Sequence, residues 1–176
     1  MKMLIDPSEV HAHLDKLLGQ RIWCIGRAAN MLWVGFGEYI TVKNYRGEER
    51  EVNVYNLHVQ CAWRMVSPEG IVVGFSDFYH PASKITTYEW DWDVQGNNLF
   101  DEISARLTAD FKQESIIVYK INDSPYGDLS IVLSNGCQLQ LFPDDALDGE
   151  HWRFMDRSAD DDPNEGDFVV LRDGYY

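Results

Sequence analysis

The chain has 176 residues, enough for one domain with a substantial core and short for two. Hydrophobic residues make up 45% and aromatics 13%, a globular composition that excludes a disordered chain. Twenty-nine acidic residues against fifteen basic give a net charge of −14, a field that repels nucleic acid and anionic membrane and speeds encounters with basic partners.

The opening "MKMLIDPSEV" carries one lysine and a brief apolar stretch before Asp6-Pro7, which is not the pattern of a secretion signal. Asp6 is placed to cap a helix, Pro7 suits its first position, and Glu9 completes a capping box. Ile5 and Val10 stand at hydrophobic-staple spacing. Val10, Leu14, Leu17 and Leu18 make one apolar stripe, and Gly19 ends the helix. Next, "RIWCIGRAANMLWVGFGEYITV" reads as short strands separated by Ala-Ala-Asn and by Gly35-Phe-Gly37.

Asn53 to Val66 carries the clearest strand signal. Tyr55, Leu57, Val59, Cys61, Trp63 and Met65 point one way, and Asn56, His58, Gln60 and Arg64 point the other. Trp63 therefore belongs to the core and Arg64 faces away from it. Ser67-Pro68-Glu69-Gly70 suits a type I turn, with a four-residue loop favoured. That register sets His58 opposite Tyr79 and Gln60 opposite Asp77, so one end of the second face gathers four polar side chains. "TTYEWDWDV" alternates again, with Tyr88, Trp90, Trp92 and Val94 on one side and Glu89, Asp91 and Asp93 on the other. Three carboxylates about 7 Å apart along a strand repel one another, so that side must meet solvent or a cationic partner.

Asn98 caps a second helix with the stripe Phe100, Ile103, Leu107 and Phe111, and Glu102 and Arg106 form an i,i+4 pair on its exposed side. After "SIIVYKI", the hairpin "YGDLSIVLSNGCQLQLF" has two candidate registers. A two-residue Asn-Gly turn mixes its faces. A three-residue loop Ser134-Asn135-Gly136, with Gly136 left-handed, aligns Leu133 with Cys137, Ile131 with Leu139 and Leu129 with Leu141. From Asp144 to Asp167 ten acidic residues accompany two arginines, and the segment at about 144–167 reads as loop-rich. Within "HWRFM", Trp152 and Phe154 alternate with His151 and Arg153, and "FVVL" looks like a last strand.

Chemical motifs are sparse. Asp160-x-Asp162-x-Asn164 begins like a calcium loop, but Glu165 stands where glycine is required and Leu171 where glutamate is required. His11 and His13 point to different sides of their helix and the histidines show no zinc spacing, so no metal site is expected. There is no G-x-S-x-G elbow, no glycine-rich phosphate loop, and hence no expected cofactor. Cys24, Cys61 and Cys137 are odd in number, lack C-x-x-C spacing, and read as thiols of a reduced, cytoplasmic protein. No apolar run approaches the roughly 20 residues of a membrane helix.

Two surfaces remain as candidates. His58, Gln60, Arg64, Asp77 and Tyr79, with His151 and Arg153, could hold a small anion or do acid–base work. Glu89, Trp90, Asp91 and Asp93, with Asp160, Asp161 and Asp162, suit a basic protein partner. Each has a plainer alternative: structural polar partners at a sheet edge, and a solvated acidic face.

The capped first helix, Leu57-His58…Gln60…Trp63-Arg64, Asp77-x-Tyr79, Tyr126-Gly127-Asp128-Leu129, Ser134-Asn135-Gly136, Leu141-Phe142-Pro143 and His151-Trp152-Arg153-Phe154 resemble a set of small acidic bacterial proteins. That set is similar to the single-domain immunity proteins that neutralise secreted polymorphic toxins. The resemblance spans most of the chain, implies no catalytic residues, and implies a basic toxin domain as partner. The expected architecture is a single α+β domain over residues 1–176, a mostly antiparallel sheet with two principal helices. The expected role is cytoplasmic, non-enzymatic capture of a basic protein by electrostatic and steric blockade. The alternatives are a small-ligand binder or enzyme built on the His/Asp/Tyr/Arg cluster, and a mimic of DNA.

Overall fold

In the computed structural model, which describes residues 5–158, 167–172 and 174–175, the chain builds two antiparallel sheets and two helices. Helix α1 (Pro7–Leu14) starts where its cap predicts: the Asp6 carboxylate accepts the Ser8 N–H at 2.9 Å and the Ser8 hydroxyl at 2.8 Å. The hydrogen bonds from the Ser8 hydroxyl and then the Ser8 N–H lower the Asp6 pKa, and its negative charge sits at the positive end of the helix. Val10, Leu14 and Leu17 are buried, whereas Leu18 is exposed after a 3-10 turn (Asp15–Leu17) that rotates it off the stripe. Helix α2 (Leu99–Gln113) is capped by Asn98, which accepts the Asp101 N–H at 2.8 Å, and it buries Phe100 and Phe111 against strand β1 (Ile22–Ala28).

The six-stranded sheet is ordered β1, β2 (Met31–Lys43), β3 (Glu49–Val59), β9 (Glu150–Asp156), β10 (Asp167–Leu171) and β11 (Gly174–Tyr175). The five-stranded sheet is ordered β5 (Gly70–Gly74), β4 (Ala62–Ser67), β8 (Gln138–Phe142), β7 (Leu129–Leu133) and β6 (Val118–Asp123). Leu57, Val59, Trp152 and Phe154 of the first meet Trp63, Met65, Leu139 and Leu141 of the second in one buried cluster. At one margin the sheets touch edge to edge, through an Arg21–Ile117 bridge and the Ile22 N–H to the Ile116 carbonyl at 3.0 Å. The α+β class with antiparallel pairing holds, divided between two sheets.

The ribbon expected over Asn53–Val66 is two strands. The chain leaves one sheet at Val59 and enters the other at Ala62, because the Gln60 and Cys61 N–H groups both turn to the His151 carbonyl, at 2.8 and 3.1 Å. Alternation survives the crossing: Leu57, Val59, Cys61, Trp63 and Met65 are all buried, and Arg64 is exposed. The 134–136 loop also holds, with Ile131 opposite Leu139, Leu129 opposite Leu141 and Gly136 at φ +86°.

Three expectations fail for identifiable reasons. Gly35-Phe-Gly37 does not break a strand; β2 runs through it, bending at a register shift between Phe36 and Tyr39 with Gly37 at φ +74°. The β4–β5 hairpin closes through a two-residue loop, Pro68-Glu69, rather than the favoured four-residue one, because Ser67 and Gly70 themselves pair; Val66 opposite Ile71 keeps the expected register, which then slips by one residue at a bulge between Met65 and Val66. Beyond Gly74 the chain coils into a 3-10 turn (Phe75–Tyr79), so no strand carries Asp77 and Tyr79 beside His58. "TTYEWDWDV" is not a strand at all: nearby side chains close turns instead, Asp91 accepting the Asp93 N–H at 2.9 Å and Asn98, beyond the segment, donating to the Trp92 carbonyl at 2.9 Å.

Candidate functional site

The segment from Ala82 to Asn97 forms a loop of the Ω kind, drawn shut at its base. Pro81 bridges Asn98, the Leu99 N–H donates to the His80 carbonyl at 2.8 Å, and the Ala82 N–H donates to the Asn97 carbonyl at 2.8 Å. One flank is pinned by Arg27 of β1. Its guanidinium donates to Asp101 twice, from Nε at 2.7 Å and Nη2 at 2.8 Å, with both side chains 2% exposed. The same guanidinium reaches the Asp93 and Val94 carbonyls, each at 3.3 Å, and the Asp93 carboxylate at 3.4 Å. Asp101 holds its guanidinium above the ordinary pKa, against the opposing effect of burial. Trp92 supplies a second fastening: it lies edge-on to Tyr79 at 5.1 Å, and Phe78 beside it packs on Trp63 at 5.7 Å.

What this fixed loop shows to solvent is aromatic and acidic. Tyr88 is fully exposed, Glu89 and Asp91 follow it in solvent, and Trp90 is half-buried. Among the described residues neither Glu89 nor Asp91 forms an ion pair, whereas Asp93 is partly neutralised by Arg27. Four of the predicted partner-facing residues thus share one loop, with Asp93 turned in part to a structural task. Asp160, Asp161 and Asp162 lie outside the described residues, as does the sequence that begins like a calcium loop. The described acids of 144–158 and Asp167 largely serve the fold: Asp156 pairs with Lys16 at 2.7 Å, Glu150 with Arg153 at 2.6 Å, and Asp167 with Arg153 at 2.9 Å. Nor is that segment all loop, since β9 runs through it between β3 and β10.

The predicted polar cluster separates. His58 and Arg153 face each other across β3 and β9. Arg64 is on the other sheet, donating from Nε to Gln140 at 2.8 Å, and shares a shallow hollow with Asp77. The Asp77 carboxylate is occupied in accepting the Gly74 N–H at 2.8 Å, Tyr79 accepts from the Asn30 amide at 3.3 Å, and Gln60 is exposed. His151 is buried rather than outward, contributing its carbonyl to the sheet crossing. With these groups on different elements, acid–base chemistry by a His58–Asp77 pair has no structural basis.

A second concavity was not foreseen. Strand pairing lays two rows of residues across the outer face of the six-stranded sheet: Gly26, Trp33, His58, Arg153 and Val169 in one, and Cys24, Gly35, Asn56, Met155 and Asp167 in the other. Glycine inside a strand costs about 0.5–1 kcal/mol relative to alanine, yet two stand here. A Cβ at Gly26 would lie 2.2 Å from the Trp33 ring, and one at Gly35 would lie 2.1 Å from the Asn53 amide oxygen. The indole thus lies flat across one strand and the amide across another, leaving a groove of about 440 Å³ roofed by the bent β2–β3 arm. His58 opens onto it with no hydrogen-bond partner among the described residues. Burial pushes the His58 pKa down and Glu150 opposes the shift, so the ring is neutral at neutral pH. The signal available in the sequence was the alternation of Gly26, Trp33 and Gly35 at outward positions.

Burial disfavours the thiolate form of all three cysteines. Burial pushes Cys61 up to about 12 and also raises Cys24 and Cys137. Among the described residues no helix is long and apolar enough to cross a membrane, and no group of three or more His, Cys, Asp or Glu side chains is placed to hold a metal ion. Comparison with protein-family models, with curated proteins and with solved structures found no match to this chain.

Proposed function

We propose that this chain is a non-enzymatic binding module that captures a basic protein through the 82–97 loop. One observation carries the reading: Tyr88 stands wholly in solvent, followed along the chain by exposed Glu89 and Asp91 without ion-pair partners among the described residues, on a loop held shut at its base and pinned from beneath. A loop that only needed solubility would gain nothing from an unsheltered aromatic ring. A docking loop uses the ring as an anchor that pays little side-chain entropy on binding, and pinning reduces the ordering cost further. The net charge of −14 steers a cationic partner toward the protein, and Glu89 and Asp91 set where it lands. The resemblance to immunity proteins suggests a basic toxin domain met in the cytoplasm, neutralised by having its cationic surface covered.

The test is affinity capture from a lysate of the source organism. The native chain is compared with Tyr88→Ala and with Glu89→Lys/Asp91→Lys. A basic protein retained on the native chain at low salt, and lost from both variants, supports the reading. Equal retention by all three chains, or no basic protein on any, rejects it.

A further inference from the structure

We propose that the groove on the outer face of the six-stranded sheet is a binding site for a small aromatic acid, a planar ring system bearing one carboxylate. The site stands on its own and does not depend on the docking loop.

Its shape comes first. A cavity of about 440 Å³ falls in the range that small molecules occupy and is far too small for a folded domain. Gly26 and Gly35 do not line the hollow themselves; they let the Trp33 indole and the Asn53 amide lie close against the sheet, and these two side chains are among those that line it. Trp33 provides a flat wall seated on Gly26, and Tyr39, Val42 and Met155 complete an apolar enclosure suited to a ring.

Polar groups then set the ligand's chemistry. Arg50 and Arg157 border the groove with one lining carboxylate, Glu51, and Asp167 reaches Arg157 from beside it, so Arg50 is the cation left for a ligand. Arg50 has no ion pair among the described residues, so its planar guanidinium is available to a carboxylate. Arg157 is in part committed, donating to the Met155 sulfur at 2.9 Å and lying 3.7 Å from Asp167. His58, unpartnered and uncharged, offers one donor and one acceptor to a polar substituent on the ring. A cationic ligand would meet two guanidinium groups, and a neutral ring would leave Arg50 unanswered.

The experiment titrates the full chain with naphthoate, with naphthamide and with naphthylmethylamine, following backbone amide and indole N–H resonances by NMR. Naphthoate should move the Trp33 indole, His58 and Asn56 signals saturably. The neutral amide should bind about tenfold more weakly, the loss of one charge-assisted hydrogen bond. Arg50→Gln should weaken naphthoate to the level of the amide. The Trp152 indole, buried and donating to the Gly127 carbonyl at 2.7 Å, should stay unmoved in every spectrum and certifies the fold. The proposal is overturned by any of three results. They are no saturable shift with millimolar probe, amine or amide binding as tight as naphthoate, or shifts centred on residues outside the groove.

Discussion

Replacing Asp101 by asparagine tests whether a buried ion pair anchors the docking loop. Arg27 and Asp101 meet in two parallel N–H···O contacts with 2% of either side chain exposed. The same carboxylate accepts the Gly96 N–H at 2.7 Å and the Gln95 amide at 3.0 Å, so it ties the loop to the helix terminus as well. Desolvating two charges offsets most of their attraction, which makes the intact pair worth little in net terms. Removing one charge is different, because the guanidinium then stays buried without compensation. Breaking a buried pair costs about 3–5 kcal/mol. Asparagine keeps one acceptor oxygen, so the lower end, about 3 kcal/mol, is expected. Against a domain stability of about 5–15 kcal/mol that is a large fraction, readable as a shift of the urea midpoint at unchanged slope. The double variant Arg27→Met/Asp101→Leu removes both charges together but also leaves the Gly96 N–H and the Asp93 and Val94 carbonyls without these partners, so its cost should be well below the sum of the Arg27→Met and Asp101→Leu single costs. An Asp101→Asn cost below about 1 kcal/mol, or single-variant costs that simply add in the double variant, would refute the anchoring argument.

Trp63 is 3% exposed and lies edge-on to Phe78 and Phe100, so Trp63→Ala should cost about 3–5 kcal/mol by urea unfolding. Its indole N–H has no acceptor among the described residues, so Trp63→Phe should cost well under half of that; equal costs would show a missed hydrogen bond. Imidazole titration by NMR should place His11, bonded to Asp15 and close to Asp123, above 6.5, and His13 and His58, pushed down by burial, below it. A raised folded value means that His11 stabilises the protein fully below 6.5 and that this contribution fades as pH rises through the folded value. His58 works in the opposite sense, its contribution fading as pH falls from 6.5 toward its lower folded value. His11 and Asp15 are well exposed, so the His11 effect is small and shrinks further with salt. With its thiol near 12, Cys61 should resist a thiol-specific reagent at pH about 8 until the protein unfolds; rapid labelling of the native chain would place it at the surface.

The contrast between what the chain's local chemistry disclosed and what it hid follows from range. Asp6 and Asn98 cap their own helices within three residues, and Ser134-Asn135-Gly136 sets its own hairpin, so these were legible. Side-chain alternation placed Trp63 inside and Arg64 outside even though the chain changes sheets between them, because Cys61 keeps the period through the crossing. The crossing itself was invisible, since it depends on the carbonyl of His151, far along the chain. The sheet crossing at Gln60–Cys61 leaves His58 on the other sheet, and a one-residue bulge at Val66 and a 3-10 turn at Phe75 complete the dismantling of the cluster of His58, Gln60, Asp77 and Tyr79. "TTYEWDWDV" imitated a strand by alternation, yet its own Asp91, and Asn98 just beyond it, satisfy backbone groups that a strand would have paired elsewhere. The Arg27–Asp101 pair left a faint sign: a charge of each kind at positions whose neighbours, Ile25 and Phe100, face the core.

The central claim is that Glu89, Asp91 and Tyr88 form the landing site for a basic protein. Its most direct test is the association rate of the captured partner, measured against ionic strength by biolayer interferometry. Glu89→Lys/Asp91→Lys should slow association about tenfold at low salt and flatten its salt dependence. Glu69→Lys/Asp110→Lys, which changes the net charge equally at exposed sites elsewhere, should change the rate far less. Equal slowing by the two pairs would mean that overall charge, and not this loop, guides the partner.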